Sequence, residues 1–159
     1  MAKQFISIEK NFDLSRINFD FSKELNLSSG IIIKDIVKKN KSGKDINGNA
    51  IKPLKQSTIT AKKLKGSPDP SRALFDTGRM VGRGSAKGVG GRGPFLSQRA
   101  SKMNQTAIVS VAGDRGEIGR YHNDGDGVPQ REWFGISKDA EKNIIRMIKL
   151  RIDEMISRA

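Results

Sequence analysis

The sequence predicts an α+β domain in which a small antiparallel sheet packs with helices, alongside a long C-terminal helix, extended loops and an N-terminal arm. Three observations lead to this class. Residues 137–158 and residues 22–40 carry apolar side chains at helical spacing, and residues 105–113 form a run rich in β-branched side chains. The predicted order is therefore helix, long connection, strands and helix.

The chain has 159 residues, which is the usual size of one domain, so residues 1–159 are predicted to fold as a single unit. Hydrophobic residues make up 35% of the chain, which allows only a modest core. Cysteine is absent, so disulfides, thiol catalysis and cysteine-bound metals are excluded. No apolar run approaches the length of a membrane span or of a signal peptide, which predicts a cytosolic protein without a membrane partner.

The N-terminal part is predicted to contain an arm followed by a helix. Residues 1–25 show short apolar–polar alternations typical of an extended arm. Residues 22–40 place four isoleucine and valine side chains on one helical face, although such β-branched residues also suit a strand. Ser28 or Ser29 is the expected N-cap, and Gly43 is the expected stop.

Two connections separate this helix from the predicted strands. Residues 42–70 form a long polar connection that holds a short helix, capped by Ser57 or Thr58 and ending near Lys63. Residues 78–104 are predicted as a flexible, basic, glycine-rich loop, because so many glycines are costly to order.

The C-terminal half is predicted to contain the sheet and the firmest helix. Residues 105–113 form the clearest strand, and a second strand is expected over residues 117–122. Ser137 is a good N-cap for the helix over residues 137–158, whose isoleucine stripe needs a sheet or a neighbouring subunit to cover it. Trp133 and its neighbour Phe134 precede this helix, as either a staple onto the core or an anchor for another subunit.

Enzyme signatures are missing from the sequence. His122 is the single histidine, no phosphate-binding loop motif is present, and no serine lies in a Gly-x-Ser-x-Gly elbow. We therefore expect no catalytic residues, no cofactor and no metal site.

Positive charge is the most conspicuous global feature, with a net charge of +13. Between residues 61 and 102, ten lysines and arginines face two aspartates. Basic side chains set among or near glycines can contact DNA phosphates or an acidic partner without fixed geometry. The candidates are Arg79, Arg83, Lys87, Arg92 and Arg99. A solvated flexible loop with no partner explains the same pattern equally well.

Three stretches resemble the virion-morphogenesis or tail-completion proteins of Mu-like phages. Residues 48–54 (Gly-Asn-Ala-Ile-Lys-Pro-Leu) with Ser-Thr-Ile at 57–59 are similar to the family's Gly, Pro-Leu, Thr-Ile loop. Residues 74–80 (Leu-Phe-Asp-Thr-Gly-Arg-Met) resemble its Leu-x-x-Thr-Gly-x-Leu motif. Residues 121–137 resemble its His-x-x-Gly and Pro-x-Arg-x-Phe-x-Gly-Leu-Ser motifs, with Trp133 where Phe is common.

The resemblance runs from about residue 31 to the C-terminus and implies a non-enzymatic virion protein, assembled in the cytoplasm of a host bacterium. Such a subunit forms a ring, a hexamer in this family, that completes the tail at its head-proximal end. Other neck and tail proteins, and DNA in the channel, would be its partners. The expected turn and interface residues are Thr77, Gly78, Pro129, Arg131, Trp133 and Phe134. The alternative is a sequence-independent nucleic-acid-binding protein that uses the basic glycine-rich loop.

Overall fold

The computed structural model describes residues 19–75, 95–111 and 113–158, and only the backbone of residues 114 and 115. These residues form the predicted α+β architecture, with four helices, a two-stranded antiparallel sheet and a long C-terminal helix. The elements in chain order are α1 (Ser22–Lys41), α2 (Gln56–Leu64), β1 (Phe95–Gln98), β2 (Ile108–Val111), α3 (Gly113–Asp124) and α4 (Lys138–Ser157). Residues 1–18 of the predicted arm lie outside the described residues. The predicted arm is wrong over residues 22–25, which form the start of α1.

Helix α1 begins at Ser22 with Phe21 as its N-cap, seven residues before the earlier of the two predicted serine caps. Ser28 and Ser29 are buried within the helix, where the Ser28 hydroxyl donates to the Glu24 carbonyl at 2.8 Å. This hydrogen bond to a carbonyl of the preceding turn satisfies the hydroxyl, so the serine can be buried inside the helix instead of capping its end. The Asp20 carboxylate accepts from the Ser22 backbone N–H at 2.9 Å, close to the true start. Gly43, with φ of 68°, ends the helix as predicted.

Helix α2 also begins before its predicted caps. Its N-cap is Lys55, and no side chain caps it, so the Ser57 and Thr58 predictions were wrong. Pro53 fixes its own φ and restricts Lys52 before it, so the backbone that leads into this helix is constrained.

The sheet forms from a different pair of segments than predicted. Strand β2 occupies the centre of the expected run, but its antiparallel partner is β1, with Phe95 opposite Val111 and Gln98 opposite Ile108. β1 lies inside the range predicted as a glycine-rich loop. The second strand predicted over residues 117–122 is wrong, because this segment belongs to helix α3. Local i,i+4 contacts, such as the Arg120–Asp124 ion pair at 3.4 Å, support a helix there.

The core joins α1, the sheet and the segment before α4. Its buried hydrophobic members are Ile33, Ile36, Val37, Ile46, Phe95 and Trp133. Helix α4 runs antiparallel to α1, since Lys39 near the end of α1 pairs with Asp139 near the start of α4 at 3.5 Å. Ser137 caps α4 as predicted and accepts from the Ala140 N–H at 3.1 Å. None of the helices in the described part of the chain is long and apolar enough to cross a membrane.

Candidate functional site

The guanidinium of Arg131 joins two of the stretches that carry the family resemblance. Arg131 is only 5% exposed, and its Nε donates to the Lys52 carbonyl at 3.0 Å. Its Nη2 donates to the Pro53 carbonyl at 3.3 Å, and its Nη1 donates to the Pro129 carbonyl at 3.2 Å. A planar group with several fixed donors can hold three carbonyls in this way, which a lysine cannot do. Arg131 therefore fastens residues 52–53 to the segment that leads into α4.

His122 lies against the same guanidinium. Its Nδ1 is 3.4 Å from Nη1 of Arg131, and its carbonyl accepts from the Arg131 backbone N–H at 2.7 Å. Burial lowers the pKa of His122 below 6.5, and the positive charge of Arg131 lowers it further. Burial also lowers the pKa of Arg131, although an arginine remains charged at any ordinary pH. At neutral pH the histidine is therefore neutral and can accept from the arginine.

Trp133 is a core residue in this structure. Its indole is 1% exposed, and its Nε1 donates to the Gly119 carbonyl of α3 at 2.9 Å. The ring covers Gly119 so closely that a Cβ there would lie 2.6 Å from Cζ2. Of the two roles that the sequence left open, staple onto the core or subunit anchor, the position of Trp133 matches the staple.

Phe134 and Pro129 complete the same turn. The ring of Phe134 stacks on Phe95 at a centroid distance of 6.3 Å, and its backbone N–H donates to Oδ1 of Asn123. Pro129 is exposed and contributes its carbonyl to Arg131. The four residues predicted from the third stretch therefore lie together, as one connection between α3 and α4.

The remaining predicted contact residues are not brought into this site. Arg99 is exposed just after β1. Thr77, Gly78, Arg79, Arg83, Lys87 and Arg92 lie outside the described residues.

An open apolar groove of about 400 Å³ lies between α1, β2 and the start of α4. Its serines, Ser28 and Ser29, bond back to carbonyls of α1 and so offer little to a polar ligand. The other lining side chains are almost all apolar. We call this feature the apolar groove; its walls include Leu25, Ile32, Val109, Phe134, Ile136 and Ile144. Such a lining suits apolar side chains better than a charged substrate.

Large apolar side chains stand exposed at the rim of the groove and along α4. At the rim, Ile136 is 59% exposed and Ile108 is 46% exposed, and on α4 Ile145 is also 46% exposed. Along the apolar stripe of α4, Met155 is buried, whereas Ile152 is 37% exposed and Ile156 is 45% exposed. The stripe is therefore covered only in part by α1.

Several positioning residues were missed by sequence reasoning. Asn40, 4% exposed, donates from Nδ2 to the carbonyls of Ile36 and Trp133, and so ties the end of α1 to the α3–α4 connection. Gln105 donates from Nε2 to the Phe19 carbonyl and accepts from the Phe21 N–H. Both amides bridge residues more than 80 positions apart, and no local sequence pattern marks such a pair.

Across residues 19–75, 95–111 and 113–158, no group of three or more histidine, aspartate and glutamate side chains is arranged to hold a metal ion. Comparisons with protein-family models, with curated proteins and with solved structures found no match to this chain.

Proposed function

We propose that the chain is a structural virion protein of a tailed phage. It would complete the tail at its head-proximal end and join it to the head as a ring-forming subunit, without enzymatic activity. The observation that carries the proposal is the apolar groove with its exposed isoleucine rim. Monomers rarely leave large contiguous apolar patches exposed, whereas an assembling subunit needs them.

The hydrogen bonds of Arg131 to the carbonyls of Lys52, Pro53 and Pro129, which we call the Arg131 junction, also support the proposal. The stretches at residues 48–54 and 121–137, which resemble tail-completion proteins, are held together by hydrogen bonds from one buried side chain. A rigid scaffold of this kind favours a repeated subunit interface, because binding is stronger when little conformational freedom is lost on contact.

Assembly is tested by measuring the mass of the purified chain in solution. Light scattering over a concentration series should give a defined ring-sized oligomer, or a monomer that assembles as the concentration rises. A chain that stays monomeric throughout the series would contradict the proposal. The net charge of +13 opposes self-association, so assembly should strengthen as salt is raised.

The groove is tested with a charge placed on its rim. We expect Ile108→Asp combined with Ile136→Asp to abolish assembly, because both carboxylates would have to be desolvated in a contact at the groove. Leu64→Asp, at a position 85% exposed on α2 and outside the groove, is the control and should assemble normally. Far-ultraviolet circular dichroism establishes that all variants are folded. Equal loss of assembly in the control variant would show that the groove is not the contact.

The location in the particle is tested separately from assembly. Gold-labelled antibodies against the chain should mark the junction of head and tail on virions that contain it. Label spread along the tail, or label absent from particles, would refute the assignment to the neck even if the purified chain forms rings.

A further inference from the structure

The solvent face of α1 carries four lysines, with the exposed Leu27 between the first and the second of them. Lys23, Lys34, Lys38 and Lys41 are all exposed, and we call them the basic row. Their spacings of 11, 4 and 3 residues return to the same side of a helix with 3.6 residues per turn. The row extends along about 27 Å of the helix, at 1.5 Å per residue.

The acidic residues of α1 do not neutralise this row. Glu24 is buried and pairs with Arg151 of α4 at 3.7 Å, and Asp35 is half-buried. In the parts of the chain that the structure describes, none of the four lysines forms an ion pair with a carboxylate. Positive charge is therefore segregated on one face of the helix while its negative charge is directed inward.

The first lysine of the row is placed against the helix dipole. Lys23 lies in the first turn of α1, where the partial positive charge of the helix end disfavours a cation. The chain tolerates this unfavourable position and leaves the lysine exposed without a carboxylate. A polyanion that runs along the helix would compensate both the dipole and the mutual repulsion of the lysines.

We propose that the basic row binds the phosphate backbone of a DNA duplex, independently of base sequence. Phosphates are spaced closely along a duplex, about one charge per 1.7 Å of axis, so a straight row of flexible lysines meets several at once. The face carries no aromatic side chain to stack on bases, which disfavours single-stranded nucleic acid. Lysine is depleted from protein–protein interfaces, which disfavours an acidic protein as the partner. The site is distinct from the glycine-rich segment and does not depend on ring assembly.

The test compares two variants that lose the same charge. Lys34→Gln, Lys38→Gln and Lys41→Gln are combined in one variant of the full chain. The control combines Lys138→Gln, Lys142→Gln and Lys149→Gln, which are exposed on α4. Fluorescence anisotropy with a short labelled duplex of arbitrary sequence measures affinity between about 50 and 200 mM salt. Unfolding midpoints establish that both variants are as stable as the wild type.

The α1 variant should bind about 100-fold more weakly at about 100 mM salt, and its salt slope should fall by about 2.7, or 0.9 for each lost phosphate contact. The α4 control should change affinity by less than about threefold. Equal losses in both variants would overturn the proposal, as would unchanged binding by the α1 variant. Tighter binding of the wild type to poly-L-glutamate than to the duplex would also overturn it and would indicate an acidic protein partner. Light scattering on the α1 variant distinguishes the two proposals, because its assembly should be normal.

Discussion

At the scale of single residues, the connection between α3 and α4 is organised by one buried cation. Arg131 contacts three carbonyls and one histidine nitrogen, and the carbonyls come from segments almost 80 residues apart in sequence. Hydrogen bonds from a charged donor are stronger than neutral ones, and leaving their acceptors unpaired in the interior is costly. The geometry of the junction therefore depends on the guanidinium rather than on its charge alone.

We expect Arg131→Lys to lower the free energy of unfolding by about 2 to 4 kcal/mol, because an ammonium group cannot reach the carbonyls of Lys52, Pro53 and Pro129 together. Urea denaturation measures the change. Arg120→Lys is the control, since Arg120 is 57% exposed and its ion pair with Asp124 contributes about 0.5 kcal/mol or less. A loss below about 1 kcal/mol in Arg131→Lys would show that charge alone is sufficient.

His122 should make stability depend on pH. Its pKa is lowered in the folded chain, so between its folded pKa and 6.5 the unfolded state binds more protons than the folded state. The free energy of unfolding should therefore decrease as pH falls below about 7, until the folded pKa is passed. His122→Asn keeps an acceptor near Arg131 without titrating, and should remove this part of the dependence. Thermal melts of both chains at matched pH values make the comparison, and parallel curves would contradict the assignment.

At the scale of elements, α3 is placed by the contact between Gly119 and Trp133 rather than by an apolar face of its own. Its Ile118 is 38% exposed, whereas Gly119 is buried. Glycine is needed at this point for lack of a Cβ, since the indole occupies the space that a Cβ would take. The same contact provides the carbonyl that satisfies the indole N–H.

Gly119→Ala and Gly30→Ala should therefore have opposite effects on stability. A methyl group at Gly119 meets the ring of Trp133, and the overpacking should cost about 1 to 3 kcal/mol. Gly30 lies within α1 with open space around it, so alanine there should stabilise the helix by about 0.5 to 1 kcal/mol. Chemical denaturation of the two variants measures the sign and size of each change in the free energy of unfolding. Stabilisation by Gly119→Ala would show that α3 can shift away from the indole.

At the scale of the whole molecule, two surfaces have opposite chemistry and lie on different sides of α1. The apolar groove is walled by Leu25 and Ile32, whereas the basic row occupies the solvent face. Raised salt should strengthen self-association at the groove, because it screens the repulsion between positively charged chains. It should weaken DNA binding at the basic row, because that binding depends on attraction between lysines and phosphates. The two proposed interactions can thus be separated in one titration.

Periodicity and end signals in the sequence determined α4, its Ser137 cap, the Gly43 stop and the α+β class. These features depend on neighbours within a few positions, so the local pattern contains the necessary information. The resemblance also placed Arg131 and Trp133 in one motif, although it left the surroundings of each open.

Only the tertiary structure decided the remaining features. β1 pairs with β2, and residues 117–122 form a helix under Trp133, because long-range packing outweighs weak local propensity. Ser28 is buried rather than capping because the helix extends before it to Ser22, and its hydroxyl donates to the Glu24 carbonyl one turn earlier. The apolar groove likewise exists only once α1, β2 and the start of α4 are brought together. The sequence by itself thus determined the ends and faces of the regular elements, whereas contacts between distant segments decided which faces are covered and which remain open.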